Sequence, residues 1–219
     1  MINRRIAKTA MVGIAASAAA IGLAATAFAA APNYKITAGT KTSGTIAYTG
    51  KATGTSAKPA IQFNDASNGT QTRCVSATAS GVMKLGAHVS GTRAATITKT
   101  TWTTCTGPLG LKLTPKQVGT WYLNGAARPV NGVTKVFISN VIANVTTSLS
   151  GCKFTVKGAA DGTYTNSTGK LTLAPRTGSG HVLKASNVGN CVNQINNGDK
   201  LVFKGTYTVT TTAGKIKIS

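Results

Sequence analysis

Glutamate is absent from this 219-residue chain, and its only carboxylates are Asp65, Asp161 and Asp199. A glycosidase working through paired acids needs two carboxyl groups flanking the scissile bond. Calcium needs six to eight oxygens, usually several from carboxylates. Three dispersed aspartates, each in a polar turn-like context, suit neither task and read as turn residues whose carboxylates take backbone N–H groups. Histidine occurs only as His88 and His181, and no G-x-S-x-G nucleophile elbow is present. A triad is defined by geometry rather than chain order. A hydrolase would therefore require a cleft where one of these histidines meets Ser or Thr and Asp within hydrogen-bond reach. Closely spaced cysteine pairs such as C-x-x-C are missing, which removes the usual zinc pattern. No metal or cofactor site is expected. Helix signals are missing too, since no stretch after residue 30 keeps apolar residues at i, i+3, i+4 and i+7.

The first 29 residues read as an export signal. Arg4, Arg5 and Lys8 form a positive start, residues 9–28 are almost entirely apolar or small, and Ala27-Phe28-Ala29 offers a small-x-small cleavage pattern. The apolar stretch approaches the roughly 20 residues of a membrane span, but its alanine richness and cleavage pattern favour removal. Cleavage after Ala29, export by the general secretory route and release of residues 30–219 without a transmembrane segment are the expectation. That leaves Cys74, Cys105, Cys152 and Cys191, an even count that in an exported chain reads as a disulfide framework. Four cysteines allow three connectivities. Cys74 with Cys105 and Cys152 with Cys191 is the expected pairing, because it staples each half locally.

Basic residues dominate the charge. The chain has 24 Lys and Arg; without the three in the leader, 21 face three acids, a net +18. Such a surface attracts polyanions. Outside a bacterial cell these are teichoic polymers of the wall, anionic lipid headgroups and extracellular DNA. Lysine spread evenly over the surface would instead serve solubility alone.

Short β-branched runs bounded by Gly, Asn, Ser and Pro recur along the chain, the pattern of strands and turns. Leu201, Phe203, Tyr207 and Val209 share one parity, while Lys204, Thr206, Thr208 and Thr210 take the other. One face is buried and one is wet. Leu109, Leu111 and Leu113 alternate likewise, as do Phe154 and Val156 with Lys153, Thr155 and Lys157, and Ile216 and Ile218 with Lys215 and Lys217. Residues 133–145 are apolar at both parities around Asn140, which reads as a strand covered on both sides or bulged at Ser139-Asn140. Further strands are expected at 34–38, 44–49, 72–79, 94–102, 120–124, 170–174 and 181–185. Turns are expected at Asn68-Gly69, Asn124-Gly125, Asn131-Gly132, Asp161-Gly162 and Asn197-Gly198. The sum is an all-β, antiparallel β-sandwich with two disulfides. A diluted duplication divides it into possible halves 30–126 and 127–219.

Thr104-Cys105-Thr106-Gly107-Pro108-Leu109-Gly110-Leu111, Tyr164 through Leu171, Cys191 with Ile195 to Asp199, and Tyr207-Thr208-Val209 resemble segments of a group of secreted actinobacterial proteins of unassigned activity. The resemblance implies export and a β fold with paired cysteines. It supplies no catalytic residue.

Candidate ligand contacts are therefore few. Trp121 and Tyr122, if exposed beside Lys116 or Arg128, would stack on a sugar ring or nucleobase. Trp102, three residues before Cys105, is expected in the core. The leading functional expectation is a non-enzymatic extracellular module, associated with anionic cell-envelope polymers and binding nucleic acid only unspecifically. A hydrolase built on His88 or His181 and a self-associating coat protein are the alternatives.

Overall fold

Apolar residues alternating with Thr and Lys fold into thirteen strands in the computed structural model, which describes residues 33–149 and 151–219. The expected leader lies outside the described residues. In chain order the strands are β1 (Tyr34–Ala38), β2 (Gly44–Thr53), β3 (Ile61–Asp65), β4 (Gln71–His88), β5 (Arg93–Thr106), β6 (Lys112–Gln117) and β7 (Trp121–Gly125). They continue as β8 (Val133–Thr147), β9 (Lys153–Thr165), β10 (Lys170–Leu173), β11 (Leu183–Gly189), β12 (Lys200–Thr211) and β13 (Ile216–Ile218).

Every ladder is antiparallel, and together they close. Towards one end the hydrogen-bonded ring runs β4–β5–β7–β8–β9–β10–β12–β2 and back to β4. Towards the other it runs β4–β5–β6–β8–β9–β11–β12–β3 and back to β4. Five long strands thus span the ring, and three pairs of short strands (β2 with β3, β6 with β7, β10 with β11) fill the remaining places end to end. The all-β antiparallel fold with two disulfides is as the sequence indicates. The register adds that facing walls are joined by hydrogen bonds all the way round, which leaves no unpaired edge in the ring.

Side-chain parity then sorts the chain into an inside and an outside. Ile46, Tyr48, Ile97, Val136, Val145, Phe154, Leu171, Leu183 and Tyr207 are buried, whereas Thr45, Thr49, Lys51, Thr78, Lys84, Thr206 and Thr208 are exposed. Outward Thr and inward aliphatics are the reverse of a lipid-facing barrel. Among the described residues no helix is long and apolar enough to cross a membrane.

The β2/β10 end is capped. β1 continues the sheet from β4 and pairs with β13, which docks across the opening. There Tyr164 Oη donates to the Ile216 carbonyl at 3.0 Å. Asn166 Nδ2 donates to the Ile218 carbonyl at 2.7 Å, and Asn166 Oδ1 accepts the Ile218 N–H at 2.9 Å. Tyr34, Ile36, Ile216 and Ile218 are buried beneath this cap, each contributing on the order of 1.5–3 kcal/mol.

Several local expectations are corrected. β3 was not foreseen. Leu109 does not alternate in a strand; it sits in a 3₁₀ turn, Pro108–Gly110, with φ +54° and 96% exposure, and the strand begins at Lys112. Asn124-Gly125 ends β7 rather than turning, because Gly125 lies under the Tyr34 ring, where a Cβ would come within 2.4 Å. Asp161-Gly162 is internal to β9, held straight by an anchored carboxylate described below. In β8 the bulge does fall at Ser139-Asn140: the register shifts between Ile138 and Val141, and Asn140 has φ +57°.

Cys74 pairs with Cys105 across β4 and β5, and Cys152 with Cys191 beside the start of β9. Both disulfides lie at the end opposite the cap, where the chain makes its longest loops. They close loops of 31 and 39 residues. By chain entropy each should contribute about 3–4 kcal/mol. Cys152→Ser with Cys191→Ser is accordingly expected to lower the urea-unfolding free energy by that amount, whereas a loss below about 1 kcal/mol would place the stability elsewhere.

Candidate functional site

Parity along β7 separates the two aromatic candidates. Trp121 turns inward and is buried, its Nε1 donating to the Ile142 carbonyl at 3.1 Å and its ring packed against Trp102 with centroids 6.1 Å apart. Tyr122 turns outward, with the Arg93 guanidinium 3.8 Å over its ring. Lys116 points outward from β6, opposite Asn144 near the disulfide end of β8. Arg128 precedes the other end of β8, where its Nε donates to the Asn33 carbonyl at 3.3 Å. The four residues therefore do not share a face, and Trp121 is unavailable for stacking on a ligand. Its burial has a simple physical reason: an inward position in a closed ring has no water to face.

The two histidines differ. His88 is buried, stacked on Tyr34 with centroids 5.3 Å apart, and its Nε2–H donates to the Lys84 carbonyl at 2.9 Å. His181 meets both partners a hydrolase would need. The segment after β10, residues 174–182, folds over the outer face of β9 and brings Arg176, Ser179 and His181 onto Asp161, a buried residue. Asp161 Oδ1 takes Arg176 Nη2 at 2.9 Å and His181 Nδ1 at 2.8 Å, while Oδ2 accepts the Ser179 hydroxyl. The His181 ring stacks on Phe137 with centroids 4.2 Å apart. Chemically the arrangement is an anchor. The hydroxyl donates to the carboxylate instead of to imidazole Nε2, so no base is placed to take the proton of Ser179. Gly162, next to Asp161, serves the opposite, inward side of β9, where a Cβ would lie 2.7 Å from the Thr172 carbonyl oxygen and 2.8 Å from the Leu173 side chain.

Asp65 and Asp199 form the second carboxylate feature. Asp65 is buried at the end of β3 and accepts the Ser67 N–H at 2.7 Å; Asp199 accepts the Asn196 N–H at 2.6 Å. Their carboxyl groups face one another. Burial, and then the neighbouring Asp199, push the Asp65 carboxyl above its ordinary range, while the Asn196 N–H holds that of Asp199 below it. Asp65 Oδ2 itself has no hydrogen-bond partner, so as pH rises Asp65 keeps its proton longer than Asp199.

With the acids engaged in this way, the lysines among the described residues stand without an ion-pair partner, and the register concentrates some of them. Lys157 of β9 lies directly opposite Lys184 of β11, which lies directly opposite Lys200 of β12. All three are exposed. A parallel outward row, Lys116, Asn144, Thr155 and Ser186, runs beside them, with Thr155 Oγ1 donating to Asn144 Oδ1 at 3.0 Å. Beyond it lie Thr114, Thr146 and Lys153. Among the described residues no carboxylate is within ion-pair distance of these lysines. Residue order alone gives no sign of the row, because its members are 27 and 16 positions apart and meet only through long-range pairing.

Two substitutions test the carboxylates. Asp161→Asn leaves Arg176 and His181 without an anion. Their side chains are 28% and 25% exposed, so water recovers part of the loss and the expected cost is about 2 kcal/mol. Faster amide exchange over 174–182 should accompany it; unchanged exchange there would refute the anchor. Asp65→Asn tests the pair. A carboxyl raised above its unfolded value favours the folded state at acid pH, and that contribution is lost as pH rises through the folded value. Asp199, with its value lowered, contributes oppositely: its stabilisation is present at neutral pH and fades as pH falls through the folded value. Asparagine keeps the acceptor for Ser67 and offers N–H to Asp199. The variant should therefore compare better with the parent at pH 7 than at pH 3 in melting temperature, and an offset independent of pH would rule out a raised Asp65 carboxyl.

Compared with family models, with curated proteins and with solved structures, the chain matches none, so its function has to be read from the residues described above.

Proposed function

We propose that the chain is an exported, non-enzymatic module that associates with anionic polymers of the cell envelope, through the outer wall formed by β6, β8, β9, β11 and β12. The observation carrying this reading is the row Lys157–Lys184–Lys200. Like charges placed directly opposite across strands are destabilising by roughly 0.2–1 kcal/mol each, and this chain has Thr or Ser at most comparable outward positions. Three adjacent ammonium groups without a counter-charge favour a bound polyanion that neutralises them together. Lys116 and Lys153 extend the charge to either side, and the polar Asn144 and Ser186 supply hydrogen-bonding groups between them. No aromatic ring occurs in these rows, so stacking on nucleobases has no platform there. That favours a non-stacking phosphate or carboxylate polymer over nucleic acid. Two disulfides suit an oxidising, extracellular compartment.

The hydrolase alternative draws on the Asp161–His181–Ser179 cluster, and its weakness is the hydroxyl's bond to the carboxylate.

Binding of the purified protein to teichoic-acid-bearing cell walls, followed over a salt series, tests the proposal. Lys157, Lys184 and Lys200 changed together to Gln should weaken binding at least tenfold. The slope of log affinity against log salt should fall by about two to three units. Lys51, Lys84 and Lys99 changed together remove the same charge from separate places on the Thr-rich wall, and should have a much smaller effect. Equal losses in the two variants would reduce the reading to net charge, and tighter binding to single-stranded DNA than to walls would overturn its choice of polymer.

A further inference from the structure

The interior of the ring is not completely filled. Small residues, Gly50, Ala79, Ala143 and Ala160, occupy inward positions between Trp102, Trp121 and the aliphatic core, and a cavity of about 100 Å³ remains among them. Its wall is almost wholly apolar. Tyr48, Thr72, Thr100 and Tyr207 are its hydroxyl-bearing members, and Thr100 stands on β5 two residues before Trp102. Its hydroxyl is buried at this wall and has no hydrogen-bond partner. An unsatisfied buried hydroxyl costs on the order of 1–3 kcal/mol, and valine would have the same shape at that position without this cost.

Access is asymmetric. The cap of β1 and β13 seals one end. At the disulfide end the inward-facing Phe63, Phe203 and Leu113, which also line the cavity, are only half-buried. Phe63 and Phe203 meet edge to face across β3 and β12, with centroids 6.1 Å apart, and form the inner rim of that mouth.

We infer that the barrel interior is a binding site for a compact apolar molecule smaller than benzene that carries one hydroxyl or carbonyl group, which bonds Thr100 while its hydrocarbon part fills the space beside Trp102 and Trp121. The volume sets the size class: benzene occupies an apolar cavity of about 150 Å³, so the 100 Å³ here takes xenon or a molecule smaller than benzene. A long acyl chain is too large. The unsatisfied hydroxyl sets the chemistry, because a pure hydrocarbon would leave it unpaired.

Cyclobutanol is a suitable probe: it is smaller than benzene, bears one hydroxyl and does not absorb where tryptophan emits. Titrated into the whole protein, it should shift Trp emission saturably, and xenon should enter the same space as detected by its NMR shift. Thr100→Val should weaken cyclobutanol about three- to tenfold while leaving xenon uptake unchanged, and should raise the melting temperature of the protein without ligand. Ala143→Leu should abolish binding of both probes. Gly50→Ala is the milder filling variant, since its added Cβ meets Tyr207 at an ordinary 3.5 Å; it should weaken both. The inference is overturned if neither probe binds saturably. It also fails if Thr100→Val affects the two probes equally, or if a folded filling variant binds as the parent does.

Discussion

Closure of one antiparallel ladder on itself is the constraint from which the other features follow. Once β4 pairs with β5 on one side and with β2 and β3 on the other, each long strand is held along both edges. Each residue then faces either the shared interior or water. A one-residue slip anywhere would exchange those faces, so the register is pinned by the whole ring. Bulges are the permitted exceptions, and each is tied down. Asn140, at φ +57°, sends its side-chain amide to the Thr120 carbonyl at 2.8 Å, and the displaced stretch of β8 regains its alternation from Val141 onward.

The electrostatics depend on the same closure. A barrel wall leaves few places where a carboxylate is both buried and satisfied, and this chain puts Asp161 in one of them, while Asp65 is buried with one oxygen unpartnered. Asp161 sits on the outer surface of β9 but is roofed by residues 174–182, so its charge is spent holding that segment down. Asp65 and Asp199 answer one another. All three acids are thereby used up locally, and the lysines on the open walls keep their full charge. The basic character of the surface therefore reflects two things together: many lysines, and acids that are turned inward or towards each other.

Much of the fold was legible in the residues, and the failures share a cause. The alternations of β12 and of Phe154 and Val156, the bulge of β8 at Asn140, and the sequential cysteine pairing all rest on local pattern, and the structure has them. β8 is not covered on both sides, since its buried residues alternate with exposed or half-buried ones on either side of the bulge. Ile61–Asp65 was missed because five residues with Gln62 and Asn64 between apolar ones carry little periodic signal. Leu109-Gly110-Leu111 alternated convincingly, yet the positive φ of Leu109 belongs to a turn set by Pro108. Asp161-Gly162 resembles a turn in isolation; the partners that keep it in a strand arrive from 15 to 20 residues further on. Of the site, Lys116 falls on the basic wall, but Trp121 does not, because which parity of β7 faces inward is decided by pairing with β5 and β8. The lysine row was invisible for the same reason.

Inside and outside also explain how the chain tolerates that row. The residues next to the lysines along each strand, Val156, Leu183 and Leu201, point inward, and Leu183 and Leu201 are themselves directly paired. Repulsion between opposed ammonium groups costs about 0.2–1 kcal/mol per pair, whereas each of these buried aliphatic side chains returns about 1.5–3 kcal/mol. The inner face thus outweighs the outer one on the same strands, so the wall stays closed with its charges unneutralised. A barrel built this way can hold a surface of high potential without an acidic partner of its own, and that leaves the row open to anions from outside the chain.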